Sequence, residues 1–325
     1  MNHVIKIPFY LSMLMLIITI MAACEQKDPA SANEQNVRKN RQFSEGMFES
    51  FKNSQTGQTD KIVNVYKLFT NYIDTMEKNP DASQIDTYKK EVIDPIYNEC
   101  FRDAEYIHMA ESLLNVAPTR YTELKKTIKK IEKEDTNKII KEALEKSASY
   151  LPSDKETTVC VFPAENKNYA MINVGVGKII VLYNMYYTEG KIQAGIAHEY
   201  YHSVWTEKHF RKNISFSVLD NLIFEGKAVM FEKLVYPEHV ITPINMNYEK
   251  ESWSKIEADL GKYDFNRSHE IIIGGNDLPH LYGYSEGCKM VKAYLDLNPK
   301  ATIEEWTAMS AKEIFEKGKY AEKYE

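Results

Sequence analysis

The sequence predicts an α+β protein that is mainly helical, with a small antiparallel or mixed sheet preceded by a helical region. Three observations support this fold class. Apolar residues recur at three- and four-residue steps over residues 41–150, β-branched segments follow between 157 and 183, and helical periodicity returns from about residue 188. The chain has 325 residues, 43% of them hydrophobic, which is enough for one large folded domain or two small ones.

The N-terminal residues 1–23 have the features of an export signal and are left out of the fold prediction. Lys6 supplies a positive charge, an apolar stretch follows, and small residues precede Cys24. This order resembles a bacterial lipoprotein signal, in which Cys24 receives a lipid after cleavage. A plain signal peptide cut after Ala23, or an anchor helix, is the alternative. We expect a lipid-anchored protein of the bacterial cell envelope, at the outer membrane on its periplasmic or surface face, with residues 24–40 as a flexible tether.

Charge and cysteine content exclude several classes of function. The formal net charge is −6 and the sequence has no basic patch with interleaved aromatic residues, so nucleic acid is not an expected partner. Beyond Cys24, the cysteines Cys100, Cys160 and Cys288 are widely spaced. They allow at most one disulfide and form no metal-binding pattern. Cys160 lies within a strand-like segment and is interpreted as a small buried hydrophobic residue.

The first folded region, residues 41–150, is predicted to be helical and to pack on the rest or help to shape a cleft. Val63–Tyr72 is one of its periodic segments. From residue 151 the pattern changes: Thr157–Phe162 and Ala170–Tyr183 predict an antiparallel pair of strands. Helices are then predicted over residues 188–209, 218–235, 248–260 and 281–296, with capping boxes beginning at Thr302 and Ser310.

The helix predicted over residues 188–209 contains the sequence His-Glu-Tyr-Tyr-His. His198 and His202 are four residues apart, so both imidazoles lie on one face about one turn apart and can bind one Zn²⁺. Glu199 follows the first histidine, where its carboxylate can act as the general base for a water molecule that the metal activates. The spacing therefore predicts a catalytic zinc site.

A third protein ligand must come from elsewhere in the chain. The metzincin pattern fails because Trp205 and Lys208 occupy its decisive positions. The next predicted helix offers Glu225, which we favour as the ligand because its neighbours are apolar. Asp220 is the alternative ligand, or a partner that orients a histidine. The small Gly226 is predicted to let this helix approach the histidine helix closely.

Several of these segments resemble a family of bacterial predicted zinc-dependent proteases, the DUF2268 family. They are HEYYH at residues 198–202, DNLIFEGKAVMFE at 220–232, GYSEG at 283–287 and YLDLNP at 294–299. The resemblance implies a zincin-like metallopeptidase domain over residues 151–325. It also implies a gluzincin-like site, with His198, His202 and Glu225 as zinc ligands and Glu199 as the general base.

Hydrolysis of an amide also needs a hydrogen-bond donor that stabilises the negative charge developing on the carbonyl oxygen. Tyr284, Tyr282 and His280 are the candidates, with Tyr284 placed first because it lies in the GYSEG segment. The resemblance to zincin-like domains also implies that the strand around residues 174–182 lines the cleft and pairs with an extended peptide.

The sequence thus predicts a zinc-dependent hydrolase, a peptidase acting on peptide or protein substrates, and it does not predict an oligomeric state. The alternatives are a non-catalytic zinc-binding or scaffold lipoprotein, and a zinc amidase acting on a cell-wall amide.

Overall fold

The structure is a computed structural model that describes residues 46–166, 170–212 and 215–325. The predicted signal peptide, the tether and the lipidation site at Cys24 lie outside the described residues. No helix within those ranges is both long and apolar enough to cross a membrane.

A mixed sheet joins residues from both predicted regions of the chain. Its strands are β1 (Phe48–Lys52), β2 (Thr59–Val63), β3 (Thr158–Pro163), β4 (Met171–Gly175) and β5 (Lys178–Tyr183). The order is β1-β2-β3-β5-β4, in which β2, β3 and β5 are parallel and each edge strand is antiparallel to its neighbour. Together with the helices, this sheet confirms the predicted α+β, mainly helical class.

Strands β1 and β2 correct the prediction that residues 41–150 are helical throughout. Val63 was assigned to a helix with Tyr66, but Val63 ends β2 and a 3₁₀-helical turn begins only at Val65. Strand β2 gains its second neighbour from β3, where Lys61 is paired with Thr158. Because that neighbour lies far along the chain, local periodicity could not distinguish this short strand from a helix.

The prediction for residues 157–183 was also wrong in its pairing. The segment after β3 forms two strands, and β4 and β5 make an antiparallel hairpin around Gly175 and Gly177. Gly177 has φ of +66°, a backbone conformation that favours glycine at a turn. Strand β3 runs parallel to β5. The glycines that interrupt the pattern therefore mark a turn between two strands.

Helices make up most of the remaining described chain. Those before β3 are α1 (Phe69–Lys78), α2 (Gln84–Tyr88), α3 (Asp94–Cys100), α4 (Glu111–Asn115), α5 (Tyr121–Lys133) and α6 (Thr136–Tyr150). Those after β5 are α7 (Glu189–His209), α8 (Val218–Val235), α9 (Lys250–Ser254), α10 (Phe265–Ile273), α11 (Tyr282–Leu297), α12 (Ile303–Ala308) and α13 (Ala311–Lys317). The capping boxes predicted at Thr302 and Ser310 are confirmed at the starts of α12 and α13.

Helix α8 packs on α7 on one side and on α11 on another. Its backbone touches that of α11, since a Cβ added to Gly226 would lie 2.0 Å from the carbonyl carbon of Gly287. The expectation that Gly226 brings α8 close to α7 was therefore wrong. One residue along a helix turns the side chain by about 100°, so Gly226 points away from the side on which Glu225 meets α7.

One disulfide joins Cys100, at the end of α3, to Cys160 in β3, with their Cα atoms 6.1 Å apart. Cys160 is buried as predicted, but it is bonded to Cys100, and Cys288 is a free, buried cysteine. The bond ties a helix that lies between β2 and β3 in the chain to β3, an inner strand of the sheet.

Candidate metal centre

Helix α7 places both predicted histidine ligands on one buried face. The helix begins at Thr188, whose side chain accepts a hydrogen bond from the N–H of Lys191, and it continues through a largely buried segment. His198 and His202 are each 5% exposed, and their Nε2 atoms lie 3.2 Å apart. The four-residue spacing thus brings two imidazole nitrogens to one point, as the sequence predicted.

Helix α8 brings Glu225 to the same point. The Oε2 atom of Glu225 lies 3.2 Å from Nε2 of His202 and 3.4 Å from Nε2 of His198. Helix α8 begins at a capping box in which the Ser217 side chain and Asp220 satisfy free N–H groups. The Asp220 carboxylate accepts hydrogen bonds from the N–H and the hydroxyl of Ser217. Asp220, the alternative third ligand, is thus engaged in capping the N-terminus of α8.

The spacing of these three atoms fits zinc. Ligand atoms about 2.0–2.1 Å from a tetrahedral zinc ion lie roughly 3.3–3.4 Å from one another. Here the three separations among His198, His202 and Glu225 are 3.2, 3.4 and 3.2 Å, which describes one face of such a tetrahedron. Three protein ligands are also the number found in catalytic zinc sites, where the fourth position is left to water or substrate.

The electrostatics of the cluster favour a cation as well. Burial lowers the pKa of the His198 imidazole, but hydrogen bonds with Glu225 and Glu232 outweigh burial and raise it to about 10. Burial raises the pKa of Glu225, yet the charges and hydrogen bonds of His202 and His198 hold it well below its usual range. Both shifts have the same cause, which is that the carboxylates favour positive charge where the three atoms meet, and a divalent cation would supply such charge.

Glu232 is a site residue that the sequence analysis missed. It is 1% exposed, and its Oε2 lies 3.3 Å from Nδ1 of His198. A carboxylate at this distance keeps the proton on Nδ1 and leaves Nε2 free to bind a metal. The signal was present in the sequence, because Glu232 is seven residues after Glu225, two turns along the same helix face, among apolar neighbours.

The second histidine is held by packing. The ring of Phe224 lies against His202 with centroids 4.2 Å apart, and Trp205 packs edge-on against Phe224. Within the described chain, Nδ1 of His202 is buried without a hydrogen-bond partner. The two ligand imidazoles are therefore oriented in different ways, one by a carboxylate and the other by an aromatic ring.

Glu199 lies beside the metal ligands and is 9% exposed. Burial raises the pKa of its carboxyl above the ordinary value, against the opposing charges of His198 and His202. A carboxylate with a raised pKa is a stronger base, which suits the transfer of a proton from water. The side-chain amide of Asn173 in β4 approaches the Glu199 carbonyl oxygen at 3.4 Å, so the base lies where α7 meets the sheet.

The three candidates for stabilising a carbonyl oxygen lie in different places. Tyr284 is nearest to the metal centre, with its ring 6.2 Å from that of His198. Burial and the charges of Glu225, Glu199 and Glu232 raise its pKa well above the ordinary value, so its hydroxyl keeps its proton.

The other two candidates lie away from the metal ligands. Tyr282 is buried, and burial together with the charge of Glu286 raises the pKa of its hydroxyl above the ordinary value. His280 is exposed in the segment before α11, and no contact in the described part of the chain joins it to the metal ligands.

The sheet edge beside the site also differs from the prediction for residues 174–182. Strand β5 lies between β3 and β4, so it has no free edge for an extended peptide. Strand β4 is the edge strand, and its Val174 carbonyl already accepts a hydrogen bond from the N–H of Tyr106.

Comparison with known proteins now adds to this geometry. No curated protein and no solved structure matches the chain significantly. Residues 136–316 match a family described as "Predicted Zn-dependent protease (DUF2268)". The match spans more than half of the chain and contains α7 and α8 with His198, His202 and Glu225. The chain therefore belongs to the DUF2268 family of predicted zinc-dependent proteases.

Proposed function

We propose that this protein is a zinc peptidase whose metal is held by His198, His202 and Glu225. The observation that carries the proposal is the convergence of these three side chains at zinc-like spacing, with Glu199 buried next to them. The family description supports the same metal and the same class of reaction. A site that only stabilised the fold would have no use for a buried carboxylate beside its first ligand.

The chemistry is divided among the metal and three side chains. Zinc bound at this site would polarise a substrate carbonyl and make a water molecule more acidic. Glu199 accepts the proton of the attacking water and delivers it to the departing amine. The Tyr284 hydroxyl, which keeps its proton, donates a hydrogen bond to the carbonyl oxygen as negative charge develops there. Glu232 holds His198 in the tautomer that binds the metal.

We further propose that the enzyme acts outside the cytoplasm, on peptide or protein substrates, from a lipid anchor on Cys24. The signal-like segment of residues 1–23 motivates this location. The Cys100–Cys160 disulfide supports it, because such bonds form and persist in oxidising compartments.

The deciding experiment compares wild type with Glu199→Gln in a peptide-library digest, with zinc content measured on the same samples. Glu199→Gln should retain stoichiometric zinc and lose about 10²–10⁴-fold in kcat, the usual contribution of a general base. The matched control is Glu189→Gln, which changes an exposed glutamate of the same helix and should leave kcat unchanged.

Two results would contradict the proposal and favour the alternatives. Zinc binding without hydrolysis of any peptide by wild type would favour a non-catalytic zinc-binding protein. Hydrolysis restricted to isolated cell-wall fragments, abolished by Glu199→Gln, would favour an amidase instead.

A further inference from the structure

Helices α7 and α8 are antiparallel where they carry the candidate metal centre. The carboxylate of Glu232 lies 3.3 Å from His198. Seven residues earlier on α8, Glu225 lies 3.2 Å from His202, which is four residues later on α7. The next turn of α7 and the preceding turn of α8 therefore both lie beyond the His202 end of the metal centre. A surface built on those two turns borders the proposed site.

The turn of α7 that follows His202 supports one flank of this border. Thr206 is four residues after His202, on the same face and roughly 6 Å along the helix axis. Its hydroxyl forms a hydrogen bond with that of Tyr106 at 3.2 Å. The N–H of Tyr106 also donates to the Val174 carbonyl in β4 at 2.9 Å. The segment around Tyr106, which includes His108 two residues later, is therefore fixed to both the histidine helix and the sheet edge.

The turn of α8 that precedes Glu225 supports the other flank. Asn221 is four residues before Glu225, on the same face of α8. Its side-chain amide donates to the Ser268 hydroxyl of α10 at 3.1 Å. Near its C-terminus α10 packs on α11, where a Cβ added to Gly283 would lie 2.6 Å from Cα of Ile272. Helix α10 is therefore fixed to the two helices that carry the candidate third ligand and the candidate hydroxyl donor.

The two flanks meet through exposed aromatic rings. The ring centroids of His108 and Phe265, the first residue of α10, lie 6.3 Å apart in an edge-to-face arrangement. The Phe265 ring also stacks on that of His269, one turn later in α10, with centroids 6.4 Å apart. All three residues are exposed, Phe265 at 62%. His108, Phe265 and His269 are called the aromatic patch below.

The chain on either side of the aromatic patch is also apolar and exposed. Met109, the neighbour of His108, is 50% exposed, and Tyr263, two residues before Phe265, is 71% exposed. Exposed apolar patches mark binding surfaces in soluble proteins, because burying them against a partner is favourable. Ring pairs gain further free energy from edge-to-face or offset stacking, so the aromatic patch favours an aromatic ring as its partner.

We propose that the aromatic patch is a subsite for an aromatic side chain of the peptide substrate. A substrate that is bound at the zinc and extends towards the His202 end of the metal centre reaches the patch. The turn between His202 and Thr206 alone spans roughly 6 Å, and an extended peptide advances about 3.3 Å per residue. The preferred side chain therefore lies at least about two residues from the cleaved bond. This inference rests on the peptidase function proposed above.

The test uses the zinc-loaded protein on variants of one peptide that the library digest identifies as cleaved. Each variant carries phenylalanine or alanine at one position, mass spectrometry locates the cut, and kcat/KM is measured for every peptide. Wild type should prefer phenylalanine over alanine by about tenfold at one position that is two or more residues from the cut. That factor is the scale of one stacked ring pair.

Variants assign this preference to the aromatic patch. Phe265→Ala removes the central ring and should reduce the preference to less than about twofold, with kcat/KM for the alanine peptide unchanged. A merely structural role would lower kcat/KM for both peptides together. His108→Ala, on the other flank, is a second variant that should act in the same direction. The matched control is Phe48→Ala, which removes an exposed ring from β1, at the opposite edge of the sheet from β4, and should keep the preference.

The outcomes separate the subsite from the peptidase function. Wild type without a preference at any position, or a preference that survives in both Phe265→Ala and His108→Ala, would overturn the subsite and leave the peptidase function intact. Cleavage of no peptide in the library by the zinc-loaded wild type would instead contradict the peptidase function itself.

Discussion

Two buried clusters of charged residues, the candidate metal centre and a polar cluster on α11, differ in how their charges are balanced. In the α11 cluster, Glu286 is fully buried and pairs with Lys289 at 2.5 Å. The other carboxylate oxygen of Glu286 accepts the hydroxyls of Tyr320 at 2.6 Å and Tyr324 at 2.7 Å. Lys289 in turn donates to the Asn247 carbonyl. Positive and negative charge are balanced within the chain itself.

The metal centre lacks this balance. Three carboxylates, those of Glu199, Glu225 and Glu232, lie around two imidazoles. The ion pairs in the described part of the chain join Glu225 to His198 and His202, and Glu232 to His198. A buried charge is stable when it is paired, so the α11 cluster needs nothing further, whereas a bound cation would balance the carboxylates of the candidate metal centre. Buried charge alone therefore does not mark a functional site, but buried charge that the chain leaves uncompensated does.

The largest expected difference between the clusters is in metal binding. Glu225→Ala should lower zinc affinity by more than about 100-fold, beyond the usual cost of losing a supporting hydrogen bond, because it removes a ligand. Asp220→Ala is the matched control on the same helix: it should keep zinc and lose roughly 1 kcal/mol of stability from the capping box. Calorimetric titration with zinc measures the affinity of both variants, and urea denaturation measures the stability of Asp220→Ala. Zinc lost from Asp220→Ala and retained by Glu225→Ala would reverse the ligand assignment.

Disrupting the α11 cluster should lower the free energy of unfolding and leave zinc affinity unchanged. Lys289→Met leaves Glu286 buried without its cation, which should lower the free energy of unfolding by about 3–5 kcal/mol. Lys292→Met breaks an exposed pair with Asp296 on the same helix and should cost less than about 1 kcal/mol. Urea denaturation measures the two variants, and their zinc affinity should match wild type. A change in zinc affinity in Lys289→Met would show that the clusters are coupled.

The smallest of the three effects concerns Glu232, which contacts the metal site without being a ligand. The two carboxylate oxygens of Glu232 face His198 and the N–H groups of Ile241 and Thr242. Glu232→Gln has only one oxygen to accept with, so zinc affinity should fall by about 10–100-fold. Glu238→Gln, an exposed change in the segment between α8 and α9, is the control. The absorption spectrum of the cobalt-substituted protein should shift only in Glu232→Gln. Equal affinities and spectra would remove Glu232 from the site.

The sequence predicted the helices of the site better than the sheet beside it. Helix α8 was predicted at its observed bounds, Val218–Val235, because a capping residue and a continuous apolar segment define it locally. Strands β1 and β2 are five residues each and are stabilised by pairing with distant residues, which no local pattern encodes.

The site followed the same division between local and distant information. The four-residue spacing of His198 and His202 is a property of one helix, so it could be predicted from the sequence. The contact of Glu232 with His198 depends on how α8 crosses α7. Its contact with the N–H of Ile241 depends on the path of a segment that has no helical or strand periodicity. Neither follows from spacing alone, although the position of Glu232 two turns after Glu225 offered a signal.

The contact between Gly226 and Gly287 has a consequence for the proposed site. Gly226 follows the candidate ligand Glu225, and Gly287 lies three residues after the candidate donor Tyr284, so this contact fixes the distance between the helix segments that carry the two residues. Because backbone atoms of the two helices are in contact there, no side-chain rotation can change the distance between α8 and α11. Any residue larger than glycine at either position would therefore push α8 and α11 apart and separate the candidate ligand from the candidate donor.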